Sequence, residues 1–251
     1  MNRRSGMVRH GAVRHGAVRV LVHAVWLMGL GVASLPGFAQ EAATATPQRK
    51  PQPGDVEIEH SRVYVFVDKT GLGHQHGVEA RLVSGTLALG ATESAGRLVF
   101  DMKSFDADTD RARQYVGLTG STDSGTRTAV NDNMRGAAIL DVRRYPTAAF
   151  DITSAVATGQ SNAQGFPSYT LQGQFTLHGK TRPLAVKVEV EQVRGWLQVR
   201  GNFVIRQTDF GITPYSKAFG AIGVADPLRI FGDLFVAPTD NVASAGISAR
   251  P

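Results

Sequence analysis

The run Leu184-Ala185-Val186-Lys187-Val188-Glu189-Val190-Glu191-Gln192-Val193-Arg194-Gly195-Trp196-Leu197 decides the fold. From Leu184 to Glu191 the pattern has a period of two. Leu184, Val186, Val188 and Val190 share one face of an extended chain, and Lys187, Glu189 and Glu191 take the other. A helix would scatter both sets around its axis. Val193-Arg194-Gly195-Trp196 reads as the tight turn into a second strand, with Gly195 supplying a positive φ.

The same grammar extends outward in both directions. Short alternating runs bounded by Gly, Asn, Asp and Pro predict strands at 56–59, continued by 62–67, and at 82–89, 97–103, 147–154, 169–177, 184–193, 197–206 and 228–235. Residues 106–136 resist this reading. They carry a weak helical signal over 126–134, with Asp123-Ser124 as the N-cap. About eight strands with no βαβ alternation predict an all-β, antiparallel closed barrel or sandwich.

The ends of the 251-residue chain read differently. Residues 1–39 hold five Arg and no acid, then the apolar run from Val20 to Ala33, then Ser34-Leu35-Pro36-Gly37-Phe38-Ala39. That is a signal peptide cleaved between Ala39 and Gln40, and its apolar run is short of the roughly 20 residues of a membrane span. The expectation is an exported, periplasmic protein with no stable membrane span. Residues 40–54 read as a disordered linker, 55–236 as the barrel domain and 237–251 as a disordered tail. Without residues 1–39 the basic residues fall from 27 to 22 against 21 acidic, so the formal net charge falls from +6 to +1. A nearly neutral chain gives no electrostatic reason to bind nucleic acid. The absence of Cys removes disulfides, thiolate metal sites and a Cys nucleophile.

Motifs of catalysis are missing. There is no G-x-S-x-G elbow, no phosphate-binding Gly loop and no H-E-x-x-H. Asp106, Asp108 and Asp110 lack the Gly and Glu of a calcium loop and read as a solvated acidic segment. In Gly71-Leu72-Gly73-His74-Gln75-His76-Gly77, His74 and His76 fall on one side of an extended chain. Together with His60 or His178 as a third ligand they could hold zinc or copper; otherwise they are hydrogen-bonded histidines at a barrel mouth. Arg206 and Asp209 are expected to pair at a strand end.

Five segments in order carry a resemblance. They are His60-Ser61-Arg62-Val63-Tyr64-Val65-Phe66-Val67 with Gly85-Thr86-Leu87, then Phe100-Asp101-Met102-Lys103-Ser104-Phe105, then the segment 139–154 through Tyr145-Pro146. The hairpin Leu171-Gln172-Gly173-Gln174-Phe175-Thr176-Leu177-His178-Gly179-Lys180-Thr181-Arg182-Pro183-Leu184 follows, and Arg206-Gln207-Thr208-Asp209-Phe210-Gly211-Ile212 closes the series with one extra residue before the Asp. Over 55–236 the chain resembles the YceI-like family of exported, lipocalin-like proteins associated with polyisoprenoid lipids. It departs from that pattern at Asp68-Lys69-Thr70, where the family shows a His, and its own His74 and His76 come later.

The resemblance implies an antiparallel eight-stranded lipocalin-like barrel with one short helical excursion. It also implies a non-enzymatic protein that holds a polyisoprenoid or related lipid without a cofactor. Parity assigns the inward, ligand-facing side chains. They are Val63, Val65 and Val67 on the first strand; Leu87, Leu98, Phe100 and Met102 on the next two; Phe150 and Ile152; Phe175 and Leu177; Val186 and Val188; and Phe203 and Ile205. Periodicity alone leaves open whether these side chains fill the barrel or line a hollow, and the resemblance favours the hollow. The alternatives are a metal-binding barrel using His74 and His76, or a hydrolase or isomerase using a buried His. The oligomeric state stays open, a homodimer included.

Overall fold

The computed structural model describes residues 50–239. The expected signal peptide, most of the expected linker and most of the expected tail lie outside them. The strands in chain order are β1 (Val56–Gly71), β2 (His76–Ala80), β3 (Leu82–Leu87), β4 (Gly96–Asp101) and β5 (Asp106–Ala107). Two helices follow, α1 (Asp110–Tyr115) and α2 (Ser124–Arg135). Then come β6 (Thr147–Ser161), β7 (Pro167–Leu177), β8 (Lys180–Val193), β9 (Trp196–Arg206), β10 (Ser216–Lys217) and β11 (Ile222–Val236).

All strand pairs are antiparallel, in the order β3-β4-β6-β7-β8-β9-β11-β1-β2-β5, with β10 beside β11. The sheet curls until the chain entering β1 meets β3, through an Asp55–Thr86 bridge and the Leu87 amide donating to the Gly54 carbonyl at 2.8 Å. The all-β lipocalin-like class is the expected one. The strand count exceeds eight because β5 and β10 are two-residue ladders too short to show a period, and because the polar segment His76–Ala80 pairs with β1. The two runs read at 56–59 and 62–67 are one strand with a bulge between Glu57 and Arg62. Ser61, fully buried there, accepts a hydrogen bond from the Phe235 amide at 2.9 Å.

Turn chemistry follows the sequence. Arg194 and Gly195 both have positive φ (49° and 84°), as do His178 and Gly179 (51° and 71°), giving two-residue hairpins of the hand that matches strand twist. The β8–β9 turn lies at the end of the barrel where Val236 pairs with Leu197. The start of β11 lies at the other end.

The excursion holds two helices, not one. For α2, Asp123 is the N-cap and accepts from the Thr126 amide at 3.0 Å. The short α1 has no apolar period for a sequence reading to catch; Thr109 caps it and only Ala112 is buried. It docks outside the barrel, where Tyr115 stacks on Tyr64 at 3.8 Å. A Cβ on Gly77 would come within 2.9 Å of the Ala112 backbone, so the approach of α1 to β2 requires glycine there.

Candidate functional site

Inward parity on the long strands converges on one apolar cavity of about 470 Å³. Its walls are aliphatic side chains and Phe. Phe175 meets Phe100, Phe150, Phe203 and Phe210 edge-on at centroid distances of 5.7–6.5 Å, which fixes one side of the wall. One row across the sheet carries little side-chain volume. Val63 pairs with Gly232, Gly232 with Gly201, and Gly201 with Val188; all four line the cavity. A Cβ placed on Gly232 meets no heavy atom within 4 Å. A Cβ on Gly201 would instead come within 2.7 Å of the Lys187 carbonyl oxygen, so Gly201 allows β8 and β9 to approach closely while the side chain missing at Gly232 leaves the room.

The excursion forms part of the wall. Thr126, Ala129, Val130, Asn133 and Met134 recur at helical spacing on one face of α2, and all five line the cavity. Asn131 on the same helix latches it. Its Oδ1 accepts from the Ala107 amide at 2.8 Å, and its Nδ2 donates to Asp106 at 2.7 Å. Arg127 adds a bond from Nε to the Ala107 carbonyl at 2.8 Å and an ion pair with Asp106. Exposed Lys217, Ile222 and His74 also line the cavity, so it opens to the surface there.

The cavity's polar edge is built on Asp108. This carboxylate is fully buried, with Nδ1 of His76 at 2.7 Å, the Gly77 amide at 3.1 Å, Arg113 at 3.1 Å and the Thr122 hydroxyl at 3.1 Å. Burial pushes its pKa up. The hydrogen bond and charge of His76 and the bonds from Gly77 and Thr122 outweigh that and hold it at about 2. His76 is itself buried and lines the cavity with Nε2 unbonded among the described residues. Chemically this is a carboxylate-oriented imidazole, able to donate or accept one hydrogen bond. The Thr122 hydroxyl donates to Asp108, not to His76, so the pair lacks the nucleophile–base contact of a hydrolase.

A family model, the YceI-like domain, matches residues 55–234. The chain belongs to the YceI-like family. Its fold is similar to that of a polyisoprenoid binding domain from Saccharophagus degradans implicated in plant cell wall breakdown (14% identity, TM-score 0.50, covering 75% of this chain and 100% of that one). Burkholderia cenocepacia BcnA is 20% identical with a TM-score of 0.49, covering 72% of this chain and 99% of that one. No curated protein matches. At 14% identity the likeness to the Saccharophagus domain is one of fold.

In this YceI-like domain, every inward residue named from parity lines the cavity except Leu87 and Ile152. Those two are fully packed where β3, β4 and β6 meet at the closed end, beside Leu89 and Ala95. His74 and His76 do share a side, with ring centroids 4.8 Å apart. The expected third metal ligand is not brought to them. His60 bonds to Glu57 at 2.9 Å, His178 packs on Tyr145 at 4.3 Å, and among the described residues no three His, Asp or Glu form a metal-holding group. The acidic segment is not solvated as a whole. Asp106 and Asp108 face basic side chains arriving from α1 and α2, and only Asp110 is exposed. Arg206 pairs with Asp226 at 3.5 Å instead of Asp209, because the 3-10 turn Gln207–Phe210 turns Asp209 outward. Gly201 and Gly232 escaped the sequence reading, although their parity with Phe203 and Ile230 marks both as inward.

Proposed function

We propose that the protein is an exported, non-enzymatic binding protein that holds a long apolar chain, a polyisoprenoid or a lipid of similar shape, inside the barrel. The observation that carries this reading is the 470 Å³ hollow with its aliphatic and aromatic wall. Each ligand carbon moved from water to such a wall contributes about 0.8 kcal/mol, so affinity grows with chain length and needs few polar contacts. Membership of the YceI-like family supports the reading, as does the shared fold with a domain described as binding polyisoprenoid. Export rests on the basic and apolar N-terminal pattern. The non-enzymatic role rests on the absence of catalytic motifs in the sequence and on an imidazole that has no nucleophile bonded to it among the described residues.

Native mass spectrometry of detergent-free protein, before and after organic extraction and after addition of a polyprenol, tests the reading. Wild type is expected to carry or take up one lipid. Gly232→Phe, which fills the lumen from open space, is expected to stay folded and take up none. Wild type that carries no lipid and accepts none refutes the proposal.

A further inference from the structure

The mouth of the cavity carries the two most exposed large apolar side chains of the described residues. Leu72 is 84% exposed and Phe219 wholly so; Ile222 beside them is 41% exposed. They belong to two turns held together. The Leu72 amide donates to the Ala221 carbonyl at 2.9 Å, Gly71 pairs with Ile222, and Ile222 pairs with Lys217. The remaining exposed large apolar residues (Ile58, Val83, Val156 and Val204) are on strands elsewhere in the sheet.

Phe219 is held out at a cost. Its backbone sits at φ 54°, ψ 34°, and Ala218 before it at φ 51°, a region in which a bulky residue is an outlier. Hydrophobic collapse would hide this ring, yet the turn presents it to solvent. The charges around it are mainly basic. Lys217 and Lys69 are exposed on the same tip, against one exposed acid in that stretch of β1, Asp68, which accepts from the Gln75 side chain at 2.9 Å and the Lys69 amide at 2.8 Å and stays ionised, so the tip keeps a basic excess of one.

We infer that this tip is a membrane-docking surface: Leu72 and Phe219 insert into the interface of a lipid bilayer while Lys69 and Lys217 face anionic head groups, which places the cavity mouth against the acyl region. Projecting apolar side chains flanked by lysines have the composition of an interfacial anchor. A second copy of the chain fits less well. Two projecting side chains fall far short of the roughly 1,200 Å² that a stable protein interface buries. Neither residue lines the cavity, so docking is separable from cargo binding and can be read on protein without ligand.

The chain has no cysteine, so single-site labelling is clean. Phe219→Cys and Ala163→Cys, in the β6–β7 turn at the far end of the barrel, would each carry an environment-sensitive NBD fluorophore. They are mixed with phosphatidylglycerol-containing vesicles and with pure phosphatidylcholine vesicles. The probe at 219 is expected to shift blue and brighten several-fold with the anionic vesicles and far less with the neutral ones, and the probe at 163 to stay unchanged. The unlabelled double variant Leu72→Ser, Phe219→Ser is expected to lose at least tenfold in vesicle flotation. It should melt as wild type does and still take up polyprenol added from ethanol. No spectral change at 219, or flotation of the double variant equal to wild type, overturns the inference. A concentration-dependent dimer abolished by the same variant would overturn it too, assigning the tip to a second copy.

Discussion

Asp108 is buried on every side and still charged. Its φ of 56° lies in the left-handed region that Asp and Asn tolerate better than other non-glycine residues. Folded, its pKa is about 2 against an ordinary 3.8, so the ionised form is the one that folding favours. The stability this contributes is complete above about pH 4 and drains as pH falls through about 2. It amounts to roughly 2 kcal/mol. In urea titrations between pH 7 and pH 2.5, Asp108→Asn is expected to abolish that part of the acid loss. At pH 7 it should cost about 3 kcal/mol, because Arg113 loses its counter-charge and His76 its carboxylate partner. Asp108→Ala should cost more, since Ala also strains the backbone. Sequence spacing suggested only a string of acids at 106, 108 and 110. Nothing local distinguishes the one that meets His76, 32 residues away, from the one left in water.

At the scale of elements, α1 and α2 are attached to the barrel by polar latches as much as by apolar contact. Asn131 is the buried latch of α2, and Asn131→Ala leaves the Ala107 amide and Asp106 short of a partner. The expected loss is about 1–3 kcal/mol. Hydrogen exchange should speed up across 124–135 well before it does in β7 and β8. Equal acceleration in both would show that α2 does not open independently. For α1 the test is Gly77→Val, whose Cβ meets the Ala112 backbone at 2.9 Å. The helix must then back away and release the Tyr115–Tyr64 stack, at about 1–3 kcal/mol. Quenching or shift of tyrosine signals at 64 and 115 by NMR would follow it. Sequence reading found α2 because its apolar residues keep the helical period and Asp123 caps it. It missed α1, six residues with one buried position.

At the scale of the whole molecule the proposed function rests on missing volume. A core packed throughout would be more stable, so on the proposed function the empty barrel forgoes contacts that a ligand would restore. Ligand at about 100 times its dissociation constant is expected to raise unfolding free energy by about 2.7 kcal/mol. The rise in melting temperature with added polyprenol checks this in wild type and should vanish in Gly232→Phe. That variant should also melt at or above the wild-type apo temperature, since it removes a strand glycine and fills a void.

The sequence alone determined eight of the strands, the two tight hairpin turns at 178–179 and 194–195, and the inward face of the long strands. A period of two and glycine at positive φ are properties of a few consecutive residues, and they act wherever the chain finds itself. Only the tertiary structure decided whether the middle is filled or empty, because that depends on which residues stand opposite one another across strands. Gly201 meets Gly232 over a register that no local pattern encodes, just as Leu72 meets Ala221 and His76 meets Asp108. Volume and polar pairing are sums over neighbours in space, and the neighbours are chosen by the fold.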